Sequence, residues 1–239
     1  MIVAILVPIL ASFTYIAANR PFPILVWVAF PLALTLYNPN HLQQFIHISD
    51  YHFSYNVNWG STFENKDVNV FEANNVTHLQ TYLSNTDHPV RVTGSMHSYS
   101  PLVHTKTIID ISKLDDILWY NGTHIRSQAG ATIGKLQTYL TQYHKTLRGI
   151  GSITAQTLAG GFSTSLSGIE LCSFSQFTTY AKTLDANGQP VEWHDLFFLR
   201  DSMGLMGVII ELEFEVFDNH AFSHTSQYRS LDNLFDDSY

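Results

Sequence analysis

Thr93-Gly94-Ser95-Met96-His97-Ser98-Tyr99-Ser100-Pro101-Leu102 follows directly on an apolar triplet at 90–92. Further along comes Gly149-Ile150-Gly151-Ser152-Ile153-Thr154-Ala155-Gln156-Thr157-Leu158-Ala159-Gly160-Gly161-Phe162-Ser163-Thr164-Ser165-Leu166-Ser167-Gly168. Both runs are rich in glycine and hydroxyl side chains. Small residues let a backbone approach a ligand closely, and successive N–H groups with Ser and Thr hydroxyls can surround a pyrophosphate without Lys or Arg. Either run alone reads as an ordinary loop. Gly149-Ile150-Gly151 starts like a dinucleotide fingerprint, but its third glycine position is Thr154 and no βαβ pattern surrounds it. The lysine of a Walker loop is absent as well.

Outward from these runs the chain alternates between helical and extended patterns. A short strand is expected at 67–70, then a helix opened by Asn75-Val76-Thr77-His78 and carried by Leu79, Tyr82 and Leu83. His88-Pro89 stops it, and strands follow at 90–92 and 107–111. Residues 118–120 and 124–127 flank Asn121-Gly122, and 178–185 and 190–193 flank Asn187-Gly188; each pair reads as a β-hairpin. Residues 131–144 form an amphipathic helix with Ile133, Leu136, Tyr139 and Leu140 on one face. Residues 207–217 alternate, with Val208, Ile210, Leu212, Phe214 and Val216 on one side. The fold class is α+β, with mostly antiparallel strands in the second half.

The chain has 239 residues, of which 12 are Lys or Arg and 20 Asp or Glu, giving a net charge of −8. That balance excludes a nucleic-acid partner, because phosphate affinity comes mainly from clustered cations. The single cysteine, Cys172, excludes an intramolecular disulfide and a Cys-based zinc site. His41, His47 and His52 lie close together, but no carboxylate or cysteine spacing accompanies them, and no metal is assigned. Only nine of residues 1–37 fall outside the apolar set, and Arg20 is the sole charged side chain before Asp50. Two apolar runs, 2–18 and 22–37, flank Asn19-Arg20-Pro21. The expectation is a hydrophobic helical anchor at 1–37, a hairpin or one span with an interfacial segment, partnered by membrane lipid at an endomembrane or the cell surface. A basic leader region of the kind that precedes a cleaved signal is missing. Residues 38–61 read as a linker.

Taken together, the two runs resemble the FAD-binding domain of the vanillyl-alcohol oxidase (p-cresol methylhydroxylase-type) superfamily, and within it the aldonolactone and alditol oxidases. Residues 94–102 are similar to the Gly-x-x-His-Ser-x-Ser-Pro-like loop of those enzymes. Residues 151–160 are similar to their Gly-x-Ile-x-x-Gln-x-x-x-Gly segment. The likeness continues through 107–114, Ala129-Gly130-Ala131, Leu184-Asp185-Ala186-Asn187-Gly188-Gln189-Pro190-Val191 and Gly204-Leu205-Met206-Gly207-Val208-Ile209, over residues 62–218 in order. It implies a two-subdomain FAD-binding fold at 62–218, with 219–239 as the start of a substrate-binding cap whose remainder the chain lacks.

The resemblance also implies roles. His97 takes the place of the histidine that many members bond to the 8α carbon of the isoalloxazine. Gly94, Ser95, Met96 and Ser98 would wrap the pyrophosphate. Ser152, Gln156, Thr157, Gly160, Gly161, Ser163 and Thr164 would line the other side of the FAD, and Val208 and Ile209 would pass the adenine. No catalytic residue is assigned. Three departures stand out: the family usually has glycine where Ser165 stands and histidine where Ser167 stands, and Met96 replaces a common glycine. The implied function is a membrane-anchored FAD-dependent oxidoreductase domain acting on a sugar-derived alcohol. Two other readings stay open, a non-catalytic flavin-binding fragment completed by a partner chain that supplies the substrate domain, and a structural membrane protein that has lost the cofactor.

Overall fold

The structure is a computed structural model and describes residues 57–168 and 170–220. The expected anchor at 1–37, His41, His47 and His52, and the cap residues from 221 onward lie outside the described residues. Among the described residues no helix is long and apolar enough to cross a membrane.

The first part is a parallel three-stranded sheet. Strand β1 (Asn69–Glu72) leads into helix α1 (Val76–Ser84), then β2 (Arg91–Thr93), and β3 (Thr107–Asp110) inserts between β1 and β2. All four β3 residues are buried, because it has a parallel neighbour on each side. Asn75 starts α1 by accepting a hydrogen bond from the His78 N–H at 2.8 Å. Leu79 and Leu83 turn from α1 into the core. Two adjacent parallel strands cannot be joined by a tight turn. The chain between β2 and β3, residues 94–106, is therefore a long excursion from the carboxyl end of β2, and the first glycine-rich run lies in it.

The second part is a five-stranded antiparallel sheet whose strands lie in the order 117–120, 124–128, 208–215, 178–184 and 190–193. Strands β4 (Ile117–Tyr120) and β5 (His124–Gln128) make one hairpin; β7 (Thr178–Leu184) and β8 (Pro190–Trp193) make the other. Strand β9 (Val208–Glu215) runs between them, pairing with β5 and β7. Between the hairpins stand helix α2 (Ile133–Thr141), strand β6 (Lys145–Thr146), helix α3 (Leu158–Ser163) and a single 3-10 turn at Phe174–Phe177; β6 pairs with the last strand, β10 (Phe217–Asp218). The inner face of β9 presents Leu212 and Phe214, and Phe214 stacks on Phe174 at 4.6 Å. Ile133, Leu136 and Leu140 of α2 and Leu158 and Phe162 of α3 fill the space beneath. Leu79, Ile109 and Ile111 join the same cluster, so both sheets share one core.

Both hairpins, α1, α2 and β9 stand where the sequence pattern places them, with ends shifted by a few residues. The parallel direction of the first three strands and the helix at 158–163, within a stretch patterned as loop, are features that pattern does not carry.

Candidate functional site

Strand β2 ends at Thr93, whose hydroxyl donates to the Gly94 carbonyl at 3.2 Å and to the Met96 sulfur at 2.9 Å. Met96 then adopts a left-handed backbone, φ +55°, with only 4% of its surface exposed. Gly94 has no room for a side chain: a Cβ there would run into the Thr157 hydroxyl. That hydroxyl accepts from the Gly160 N–H at 3.2 Å and so opens α3. The Ser95 hydroxyl donates to the Ala155 carbonyl, tying the first glycine-rich run directly to the second. The second run is held from its other side. Ile133 N–H donates to Gln156 O at 2.9 Å, and Leu158 N–H to Ala131 O at 2.9 Å, so residues 154–159 lie along the start of α2.

The two runs face each other across a cleft of about 220 Å³. From the first, Gly94, Ser95, Met96, His97 and Ser98 line it; from the second, Gln156, Thr157, Gly160, Gly161, Ser163 and Thr164; from β9, Ile209. Two residues expected here are elsewhere. Ser152 is exposed ahead of the lining segment, and Val208 is packed into the core. The wall is completed by further residues, among them Arg91, Leu102, Met203, Gly204 and Gly207. Leu102 ends the first glycine-rich run, and Gly204 and Gly207 lie in the 204–209 stretch that shares the family resemblance, which is the signal the sequence offers for them. Arg91 offered none beyond its place in a strand ahead of the loop. Its Nη1 donates to the Met203 carbonyl at 2.9 Å, and Met203 N–H donates to Ser163 O at 3.1 Å, so the 201–207 loop is fastened to both β2 and α3.

Charge is sparse in this wall. Among the described residues Arg91 and His97 are its ionisable groups, and no carboxylate or lysine lines it. Burial pushes the His97 imidazole below its ordinary pKa, so the ring is neutral at physiological pH. The hydroxyls mostly shape the loops: Ser98 donates to Ser100 O at 2.8 Å and Thr164 to Gly160 O at 2.8 Å. The backbone N–H groups of Ser95 and Met96 donate to none of the described residues, and Gln156 Oε1 is buried without a hydrogen-bond partner among them. A cleft with unspent amide donors, a waiting acceptor and a glycine that admits no Cβ suits a ligand carrying both anionic phosphates and donor groups. The dinucleotide FAD, with its pyrophosphate, ribityl hydroxyls and ring N–H, fits that donor and acceptor set.

Residues 69–193 match the family model described as FAD binding domain. No curated protein matches the chain. Among solved structures, an alkyldihydroxyacetonephosphate synthase is similar with a TM-score of 0.56 and 15% identity, over 62% of this chain and 31% of that one. The chain thus spans less than a third of the length of that protein, and at such identity the likeness speaks for the fold alone.

Proposed function

Because the chain belongs to the FAD-binding domain family and its cofactor is FAD, we propose that it is the cofactor-holding part of an oxidoreductase for sugar-derived alcohols, of aldonolactone or alditol oxidase type. The observation that carries this reading is the cleft where residues 94–98 and 156–164 face each other. Bound there, FAD supplies the two-electron acceptor for oxidation of an alcohol carbon. The chain's own part is to hold and orient. The amides of Ser95 and Met96 meet the phosphates, Gln156 Oε1 accepts from a donor on the cofactor, and the Met203–Gly207 side closes the wall. His97 would be the attachment point: its ring nitrogen would join the 8α carbon with loss of a proton from each, the two electrons passing to the flavin itself, and burial favours the neutral imidazole that this requires.

Purified full-length protein should show flavin absorbance in the near-UV and blue. Acid precipitation should leave colour with the protein, and His97→Ala should release it. Wild-type protein with no flavin would refute the cofactor role; flavin lost completely on denaturation would refute the tether alone. The apolar character of residues 1–37 supports a membrane site of action. Carbonate extraction should leave the full chain in the pellet, and a soluble chain would refute that.

A second reading is favoured by one observation: among the described residues the cleft wall offers no carboxylate or lysine to take the hydroxyl proton. In that reading the chain binds flavin without turning over substrate, and the substrate-facing wall comes from a further domain or a partner chain. Steady-state oxidation of L-gulono-, L-galactono- and D-arabinono-lactones and of xylitol decides between them. Robust turnover by flavin-loaded chain alone refutes the second reading.

A further inference from the structure

The loop that carries His97 is gripped from outside by residues 57–65, a segment that contributes nothing to the cleft wall. Asn58 is 2% exposed, and its carboxamide is fully engaged. Its Oδ1 accepts from Thr62 N–H at 2.8 Å and Phe63 N–H at 3.1 Å. Its Nδ2 donates to Thr62 Oγ1 at 2.8 Å and to the Ser98 carbonyl at 2.7 Å. The Thr62 hydroxyl donates to the Tyr99 carbonyl at 3.0 Å. Next to Asn58, Trp59 N–H donates to the Met96 carbonyl at 2.7 Å, beside the one left-handed residue of the loop. The indole itself lies on the His97 ring, centroids 5.4 Å apart and planes 24° from parallel, while the Tyr99 ring meets it edge-on at 5.9 Å. His97 lines the cleft and Trp59 does not, so the indole backs the imidazole from behind.

We propose that Trp59 is a positioning residue for the flavin site, its indole holding the His97 imidazole at the cleft wall and its N–H pinning the turn at Met96. This rests on the reading that the cleft holds FAD against His97. A histidine on a glycine-rich loop has several rotamers open to it. An aromatic stack of this kind biases such a choice by roughly three- to tenfold, which is the size of effect that separates a ring presented to the cleft from one swung away.

The test uses the full chain as wild type, Trp59→Ala, Trp59→Phe and Trp59→Leu, each with and without His97→Ala. Protein prepared under riboflavin limitation is titrated with FAD, and acylation of His97 by diethyl pyrocarbonate is mapped by mass spectrometry in the flavin-free state. Trp59→Ala and Trp59→Leu should weaken FAD binding about three- to tenfold and speed acylation of His97, whereas Trp59→Phe should restore both. In the His97→Ala background the Trp59 substitutions should change affinity little. Leucine keeps bulk without a ring, so it carries the test if the alanine variant fails to fold. An equal loss of affinity with and without His97 overturns the proposal, as does an unchanged acylation rate. Wild-type protein that binds no FAD refutes the reading of the cleft, while the acylation rates still judge the stack by itself.

Discussion

Met96 and Ser165 share a backbone conformation, φ +55° and +54°, and stand where related chains are expected to have glycine. Replacing each by glycine should nevertheless move stability in opposite directions. A left-handed backbone costs an L residue about 1–2 kcal/mol, and glycine returns about 0.5–1 kcal/mol of that through the greater freedom of the unfolded chain. Ser165 is half-buried and its hydroxyl bonds to none of the described residues. Ser165→Gly therefore gains about 0.5–1 kcal/mol net. Met96 has the same strain to relieve, but it is 4% exposed and its sulfur accepts from Thr93. Removing that side chain forfeits about 1.5–3 kcal/mol of burial and leaves a void against the cleft. Met96→Gly therefore loses about 2 kcal/mol. At roughly 2–4 °C per kcal/mol for a domain of this size, Ser165→Gly should raise Tm by about 2 °C and Met96→Gly should lower it by about 4–8 °C. Urea and thermal unfolding of the full chain, followed by circular dichroism, measure both. Two stabilising glycines would mean that the Met96 side chain is not packed as described. Two destabilising ones would mean that the turn at Ser165 carries no strain.

Gly94→Ala should abolish flavin binding and lower stability by about 1 kcal/mol or more, because its methyl group displaces the Thr157 hydroxyl that caps α3; unaltered flavin absorbance would refute the close approach. His97 is neutral in the folded state by burial, so the unfolded chain takes up its proton first as pH falls. Its contribution is complete above the ordinary imidazole pKa and is lost as pH drops through the lowered folded value, and His97→Gln should flatten the Tm difference between neutral and mildly acidic buffer. Arg126 donates to Glu213 at 2.6 Å with its guanidinium 3.7 Å above the Tyr180 ring, both side chains mostly shielded. Arg126→Ala should cost about 2 kcal/mol by leaving Glu213 without its cation, and Glu213→Gln in the same chain should recover part of it in urea unfolding.

What was legible in the chain follows from how locally each feature is determined. Strand β9 could be read because Val208, Ile210, Leu212, Phe214 and Val216 alternate against a single buried face, and the hairpins because Asn121-Gly122 and Asn187-Gly188 sit between extended runs. The direction of β1, β2 and β3 could not. Strands of three or four residues, the central one buried throughout, have no alternation to read, and parallel pairing is decided by α1 and by the excursion at 94–106. Helix α3 was hidden by Gly160 and Gly161 in its middle; it forms because Thr157 caps it and because Leu158 and Phe162 are fully buried. The cleft shows the same division. Composition marked both glycine-rich runs, but which residues face the ligand depends on the Ser95–Ala155 bond and on the alignment of 154–159 along α2, and these placed Gln156 in the wall and left Ser152 in solvent. Trp59 is the sharpest case. Nothing periodic surrounds it, so residues 38–61 read as linker. Yet an aromatic of that size is seldom left in solvent, and the chain partner it stacks on is His97, separated from it in sequence by β1, α1 and β2. Within that stretch Trp59 packs behind the His97 loop, a contact that only the folded chain creates.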